Sequence, residues 1–329
     1  MLFIDNNGIN DPRVNLAIEE YAVKYLDINE SYLLFYINEP SIIIGKNQNT
    51  IEEINVDYVE ENHIHIVRRL SGGGAVYHDL GNLNFSFITK DDGDSFHNFK
   101  KFTEPVVKAL NKLGLEAELS GRNDIIAKGY KISGNAQFST KGRMFSHGTL
   151  LFQTNMDDVV AALKVRKDKI ESKGIKSIRS RVANIADLLD LPMTIEEFRQ
   201  FLLKNIFDGK DEIPQYHLGE KDWQMIEKIS QERYKKWDWN YGKSPAFNIQ
   251  RSHRFPVGLI DVRLHVKNGM IQNCKIYGDF FGAGDVHEIE EALTGVRHEK
   301  SVIKQTLDSL DVPHYFGKVT SEELADLLY

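Results

Sequence analysis

The chain has 329 residues, 41% of them hydrophobic and 27% charged, and a net charge of −7. That length suits two domains and buries a sizeable core, while the acidic balance gives no general pull toward nucleic acid or an anionic membrane. A single cysteine, Cys274, excludes an internal disulfide and a cysteine-rich zinc site.

The opening residues Met1-Leu-Phe-Ile-Asp5 carry an acid early, with no basic stretch and apolar run behind it. No signal peptide is read there, the longest apolar runs are too short to span a bilayer, and a cytoplasmic protein is expected. Asp11-Pro12 opens a helix, with an acid at the N-cap and proline at the first helical position, and the helix runs through Leu16, Ile18, Tyr21 and Tyr25. Residues 31–37 and 41–44 read as strands parted by Pro40. Another strand, 64–67, runs into the glycines at 72–74, and strand resumes at 84–88. Asn84-Phe-Ser86 matches a glycosylation sequon, which has no meaning without secretion.

Residues 96–113 carry helical apolar spacing, and Gly114 stands where a C-cap glycine belongs. Residues 125–151 read as strands with turns at Gly129, Gly134 and Gly142, and residues 156–239 are mainly helical. Thr194-x-x-Glu197 is a capping box for a helix ending near Gly209. Near Pro245 the pattern changes. Ile260, Val262, Leu264 and Val266 alternate with polar residues up to Asn268-Gly269, the signature of a hairpin with a type I′ turn. Helical stretches follow at 286–294 and 299–310, and Thr320-x-x-Glu323 caps a short last one. The class is α+β: a large domain of mixed sheets and helices over 1–245, then a small α+β domain over 246–329.

Four segments carry chemistry-bearing residues. In Arg68-Arg69-Leu70-Ser71-Gly72-Gly73-Gly74-Ala75-Val76-Tyr77-His78-Asp79, three glycines leaving a strand let backbone approach a ligand and present N–H groups to an anion, and two arginines stand beside them. On spacing alone a glycine-rich turn with solvated arginines fits equally well. No P-loop is present, since Trp237 stands where one needs glycine before Gly242-Lys243-Ser244, and Gly282-Ala-Gly284 leads to His287 rather than a third glycine. Gly121-Arg-Asn-Asp124 and Lys131-Ile-Ser-Gly134-Asn-Ala136 offer an ammonium for a phosphate or oxyanion and a carboxylate for magnesium. Phe145-Ser-His147-Gly-Thr-Leu150 places a histidine in a strand, where packing is the usual role; neither His78 nor His147 has a second ligand at metal-binding spacing. Finally, residues 164–181 hold eight basic residues against Asp168 and Glu171, with Gly174 as a hinge, a basic loop suited to an anionic ligand or an acidic partner.

Together these segments resemble the lipoate–protein ligase A family of the bacterial kind with a C-terminal accessory domain. The matching strings are Asn15-Leu-Ala-Ile-Glu-Glu20, Arg68 through Asn82, Gly121–Asp124, Lys131–Gly134, His147–Leu150 and Lys173-Gly-Ile-Lys-Ser-Ile-Arg-Ser-Arg-Val182, in the family's order, with residues 237–247 as the passage into the second domain. The resemblance implies a biotin/lipoate ligase-like catalytic domain with mixed sheets flanked by helices. It also implies ATP-dependent ligation: lipoate attacks the α-phosphate of ATP to give lipoyl-AMP, then an acceptor lysine takes the acyl group and AMP leaves. The implied acceptors are lipoyl domains of 2-oxoacid dehydrogenase E2 subunits and the glycine cleavage H protein. Position by position, Arg69, Gly74, Ala75, Val76, Tyr77, Asp124 and Lys131 match adenylate-binding positions. Tyr36, Arg69, Gly73, Asn82, Lys131 and His147 match lipoate-binding ones. Lys131 is the catalytic residue and Asp124 a magnesium contact. Ser146 departs from the histidine expected beside His147, and Tyr77 replaces a frequent phenylalanine.

Three rivals remain at this point. A cysteine-dependent octanoyltransferase of the same fold needs a thiol in the catalytic domain, and Cys274 falls in the hairpin of the small domain. A non-catalytic lipoate-binding module sits poorly with the intact Lys131 motif. A biotin ligase is separated by an assay with both acids.

Overall fold

The computed structural model describes residues 1–164, 181–242 and 247–329. These divide into two compact units, one of residues 1–43, 51–68 and 76–240, the other of residues 44–50, 69–75 and 241–329.

The first unit is built on an eight-stranded sheet. Its strands are β1 (Leu2–Asp5), β2 (Tyr32–Ile37), β6 (Asn82–Lys90), β7 (Ala117–Ser120), β8 (Asp124–Ala127), β9 (Tyr130–Thr140), β10 (Arg143–Leu151) and β11 (Gln215–Tyr216). They lie in the order β11-β1-β2-β6-β10-β9-β8-β7, with β1 parallel to both neighbours and the pairs from β2 through to β7 antiparallel. A second, three-stranded sheet has the order β4-β3-β5, from β3 (Ser41–Ile44), β4 (His65–Arg68) and β5 (Val76–His78). The helices are α1 (Pro12–Tyr25), α2 (Thr50–Glu53), α3 (Val56–Glu61), α4 (Phe99–Lys112), α5 (Met156–Ala162), α6 (Ile195–Ile206), α7 (Glu220–Ile229) and α8 (Trp237–Asn240). Asp11 caps α1 by accepting from the Arg13 N–H, and both arms of the Thr194/Glu197 capping box are formed at α6.

Strand register sorts the sheet's residues by face, because directly paired residues point the same way. Leu33 and Phe35 of β2, Leu83, Phe85 and Phe87 of β6, and Met144 and Leu150 of β10 share one face and bury against Phe102, Val106 and Leu110 of α4 and Phe198 and Leu202 of α6. The opposite face presents Tyr36, Asn84, Ser86, His147 and Thr149, paired Tyr36↔Asn84↔Thr149 and Ser86↔His147. The sequon residues Asn84 and Ser86 are therefore buried in a central strand.

Gly129 and Gly142 sit in tight hairpin turns at φ +83° and +73°, each after a lysine that also has positive φ. Gly134 corrects the sequence reading: it makes no turn but lies inside β9, opposite Asp124. Strands β1, β7 and β11 escaped the sequence reading because two to four residues carry too little alternation to register as a period.

The second unit carries the antiparallel sheet β12 (Ile249–Phe255), β13 (Gly258–Lys267) and β14 (Met270–Gly278), with α9 (Val286–Leu293), α10 (Lys300–Asp308), α11 (Val312–Phe316) and α12 (Ser321–Leu328). Its own core gathers Ile260, Val262, Leu264, Ile276, Phe280, Ile289, Leu307 and Phe316. Asn268 and Gly269 both have positive φ, as a type I′ turn requires. Cys274 lies in this core, where burial pushes its thiol far above the ordinary range, so it is a packed residue and no nucleophile. Among the described residues no helix is long and apolar enough to cross a membrane. The expected domain division at 245/246 lies outside the described residues.

Candidate active site

Lys131 lies on the polar face of the large sheet, and a β-bulge puts it there. From Asp124↔Gly134 and Ile125↔Ser133 the β8–β9 register jumps to Ile126↔Lys131, leaving Ile132 as the extra residue. Without the bulge Lys131 would oppose Ala127, a core residue, and point into the apolar face. The one-residue slip turns the ammonium to the polar face and leaves Ile132 fully buried in the core. There Lys131 Nζ pairs with Asp124 Oδ1 at 2.8 Å, both side chains about two-fifths exposed. Gly134 adds no side chain beside this pair: a Cβ there would lie 3.5 Å from Nζ.

His147 and Tyr36 stand on the same face of the sheet. His147 Nδ1 lies 2.9 and 3.1 Å from the two Glu19 carboxylate oxygens, a buried contact from β10 to α1. The Phe145 ring lies 4.8 Å from the imidazole. Tyr36 is buried and its carbonyl accepts from Asn84 Nδ2. Asn82 Nδ2 donates to Asn84 Oδ1, while Asn82 Oδ1 and Ser86 Oγ are buried with no hydrogen-bond partner among the described residues. Unsatisfied polar atoms are uncommon in a protein interior, and these two flank Asn84 on the face that carries His147. The sequence motif that contains Glu19 gives it no role of its own. Its signal was an acid on the buried stripe of α1, between Leu16 and Ala22.

The glycine segment belongs to the second unit from Arg69 to Ala75. The loop curls around Arg69: Nε donates to Ser71 Oγ at 3.0 Å, and Nη2 to the carbonyls of Gly72 at 2.7 Å and Gly74 at 2.8 Å. Only glycine fits at Gly73, with φ +94°, while a Cβ on Gly72 would fall 2.5 Å from the Phe280 carbonyl oxygen. A Cβ on Gly74 would meet nothing within 4 Å, and Ala75 is half-buried. Arg68 differs from its neighbour. Its N–H donates to Asn240 Oδ1, Nε donates to the Trp239 carbonyl, and its own carbonyl accepts from Trp239 Nε1, so it anchors β4 rather than offering charge to a phosphate.

Val76 and Tyr77 return the chain to the first unit on β5, paired with Ile43 and Ile42. Burial, with Asp158 nearby, pushes the Tyr77 hydroxyl far above its ordinary range. That hydroxyl lies 3.4 Å from Asp158 Oδ2, whose other oxygen accepts from Tyr58. Tyr77 therefore stays a neutral phenol. His78 is buried, with Nδ1 3.0 Å from Asn38 Nδ2, and among the described residues no cluster of three His, Cys, Asp or Glu suits a metal. Of the basic stretch 164–181, residues 165–180 lie outside the described residues.

The model for the lipoyl protein ligase A/B catalytic domain matches residues 11–207, and that for the bacterial lipoate protein ligase C-terminus matches 244–328. The chain belongs to the lipoyl protein ligase A/B family. A lipoate-protein ligase of Bacillus subtilis is 69% identical with full coverage of both chains, and lipoate–protein ligase 1 of Staphylococcus aureus is 56% identical, again with full coverage. Among solved structures, P. falciparum LipL1 in complex with lipoate is 27% identical at a TM-score of 0.78, covering 94% of each chain. A lipoate-protein ligase A bound with ATP is 32% identical at 0.62, covering 74% of this chain and 97% of that one. The bipartite ligase of Thermoplasma acidophilum, described with its E2 lipoyl domain, is 33% identical at 0.66, covering 75% and 98%. Within this family the ion pair Lys131–Asp124 and the loop around Arg69 are this chain's candidate machinery.

Proposed function

We propose that this chain uses ATP to activate lipoate as lipoyl-AMP and then joins the lipoyl group to a lysine of an acceptor protein. The observation that carries the reading is Lys131, turned by a bulge onto the polar face and partly exposed. In the first step a lipoate carboxylate oxygen attacks the α-phosphorus of ATP and pyrophosphate leaves. In the second the acceptor ε-amine attacks the acyl carbon, AMP leaves and the nitrogen gives up a proton. Neither step needs a covalent nucleophile on the enzyme, so catalysis comes from positioning and charge stabilisation.

Lys131 is assigned to the adenylate phosphate and the lipoyl carbonyl in both steps. Arg69, Gly74, Ala75, Val76 and Tyr77 are assigned to the nucleotide, and Tyr36, Gly73, Asn82 and His147 to the lipoyl chain together with Arg69. Magnesium is proposed to enter with the phosphates of ATP, since it keeps several waters and needs few protein ligands. Asp124 is assigned to meet it, on exchanging its partner Lys131 for the metal. The acceptor class is a lipoyl domain, with 2-oxoacid dehydrogenase E2 subunits and the glycine cleavage H protein as the specific candidates. A cytoplasmic location and a domain division at 245/246 belong to the same reading.

The test is pyrophosphate release from ATP with lipoate, octanoate or biotin, each with and without an apo lipoyl domain. Lipoate-dependent release followed by a lipoyl mass gain on the acceptor lysine is expected. No release with any of the acids from folded protein would overturn the reading in favour of acyl transfer from a carrier or a binding role.

A further inference from the structure

The strand that carries Lys131 has an edge that its own hairpin does not cover. Pairing of β9 with β10 ends at Asn135↔Gly148, four residues after Lys131. Beyond it, residues 181–183 take the place of β10. The Lys131 N–H donates to the Arg181 carbonyl at 2.6 Å, the Ala183 N–H donates to the Lys131 carbonyl at 3.1 Å, and Val182 stands beside Lys131 as a parallel bridge. Both peptide groups of Lys131 are thus held by one short segment. The chain just after it is pinned independently. Asn184 exchanges hydrogen bonds with the Thr154 main chain, Ile185 donates to the Leu151 carbonyl, and Ala186 donates to that of Phe152.

We propose that residues 181–183 are a positioning strand for Lys131: they fix the peptide at the bulge, and through it the direction of the ammonium. A bulge breaks the regular ladder, so the residue beside it is only as fixed as its remaining hydrogen bonds make it. On the β8 side the register shifts at this point. On the other side the backbone partners of Lys131 among the described residues are Arg181 and Ala183. The side chain is no substitute, because it ends in a half-exposed ion pair that solvent screens. The clamp is made by main chain, so it is indifferent to the side chains that make it. Only a substitution that deletes an N–H reports on it.

This inference rests on the ligase reading above, and the experiment separates the two. Ala183→Pro removes the N–H that holds the Lys131 carbonyl; Ala183→Gly retains it. Single-turnover formation of lipoyl-AMP is measured for wild type, both variants, Lys131→Ala, and Ala183→Pro combined with Lys131→Ala. Displacement of a charged group from its working geometry typically costs on the order of 10–100-fold, so that loss is expected for Ala183→Pro, in the rate constant and not in the KM for lipoate or ATP. Ala183→Gly should stay within about threefold of wild type, and the double variant should be no slower than Lys131→Ala alone. Equal losses for proline and glycine, or a full multiplicative loss on the Lys131→Ala background, would overturn the clamp. If thermal melting shows Ala183→Pro unfolded, an amide-to-ester replacement at Ala183 carries the same test, since it deletes the same N–H without adding the proline ring. Its loss should likewise vanish on the Lys131→Ala background. A wild-type chain that forms no adenylate at all would refute the ligase reading itself.

Discussion

At the scale of single residues, the proposed site rests on charge placed where strands run out of regularity. Lys131→Ala should lower lipoate-dependent pyrophosphate release by ~10²–10³-fold, the usual effect of removing one stabilising contact to developing charge. The fold should persist, because the side chain ends in a half-exposed ion pair, worth at most about 1 kcal/mol to stability. Far-ultraviolet circular dichroism and melting temperature check the fold, and near-normal pyrophosphate release would remove Lys131 from its assigned role. Cys274 gives a residue-scale prediction of pH dependence. Burial raises its folded thiol far above the ordinary value of about 9, so above that pH the unfolded chain releases a proton that the folded one keeps. Stability from this group is therefore complete below pH 9 and falls as pH rises. Relative to Cys274→Ala, the wild type should lose about 2 kcal/mol of unfolding free energy between pH 8 and 10.5 in urea titrations. A constant difference across that range would mean that the thiol ionises in the folded state. The sequence showed Lys131, Asp124 and the glycines as strings, and it placed Cys274 in a packed hairpin. It could not show the bulge at Ile132, because a one-residue slip has no composition, only a consequence for which side a lysine faces.

At the scale of elements, long periodic segments were legible and short or paired ones were not. The fourteen residues of α1 and the twelve of α6 carry caps and an apolar stripe within their own sequence. Gly134 was misread because glycine within a run of strand signals as readily marks a turn as a close approach; only the partner Asp124 decides it. The role of residues 181–183 was illegible for a similar reason, since their hydrogen bonds are long-range and made by backbone. Helix α6 yields a prediction at this scale. It docks through Phe198, fully buried and stacked on Phe152 with ring centroids 4.7 Å apart. Phe198→Ala should cost ~3–5 kcal/mol, while Leu191→Ala, just before the same helix, should change stability by less than about 0.5 kcal/mol. Leu191 is 78% exposed. Chemical unfolding of both variants is the check, and similar losses would mean that α6 is not held by its apolar face.

At the scale of the whole molecule, two cores imply two folding units, and residues of the proposed site fall in both. Leu83, Phe85, Val106 and Phe198 close one core, and Ile260, Leu264, Ile289 and Phe316 close the other. A chain ending at Gly242 retains every residue of the first core and should fold cooperatively. What it loses is the packing around the glycine loop. In the second unit Gly72 abuts the Phe280 carbonyl, the Phe281 ring lies against Gly73, Gly278 N–H donates to the Asn47 carbonyl, and Lys46 faces Asp285. Residues 44–50 and 69–75 would keep contacts with each other, such as Lys46 N–H to the Ser71 carbonyl and Arg69 N–H to the Ile44 carbonyl. Few contacts and exposed backbone bonds mean low local stability. Trypsin should therefore cut at Lys46 or Arg69 at least about tenfold faster in the shortened chain, while sites within β9 and β10 stay protected. If the loop binds ATP as proposed, the KM for ATP should rise by a similar factor of about ten with the adenylation rate constant less affected, since the lost stability is paid on binding. Unchanged cleavage and unchanged KM would mean that the loop holds its shape through Arg69 alone, by the bonds from its guanidinium to Ser71, Gly72 and Gly74.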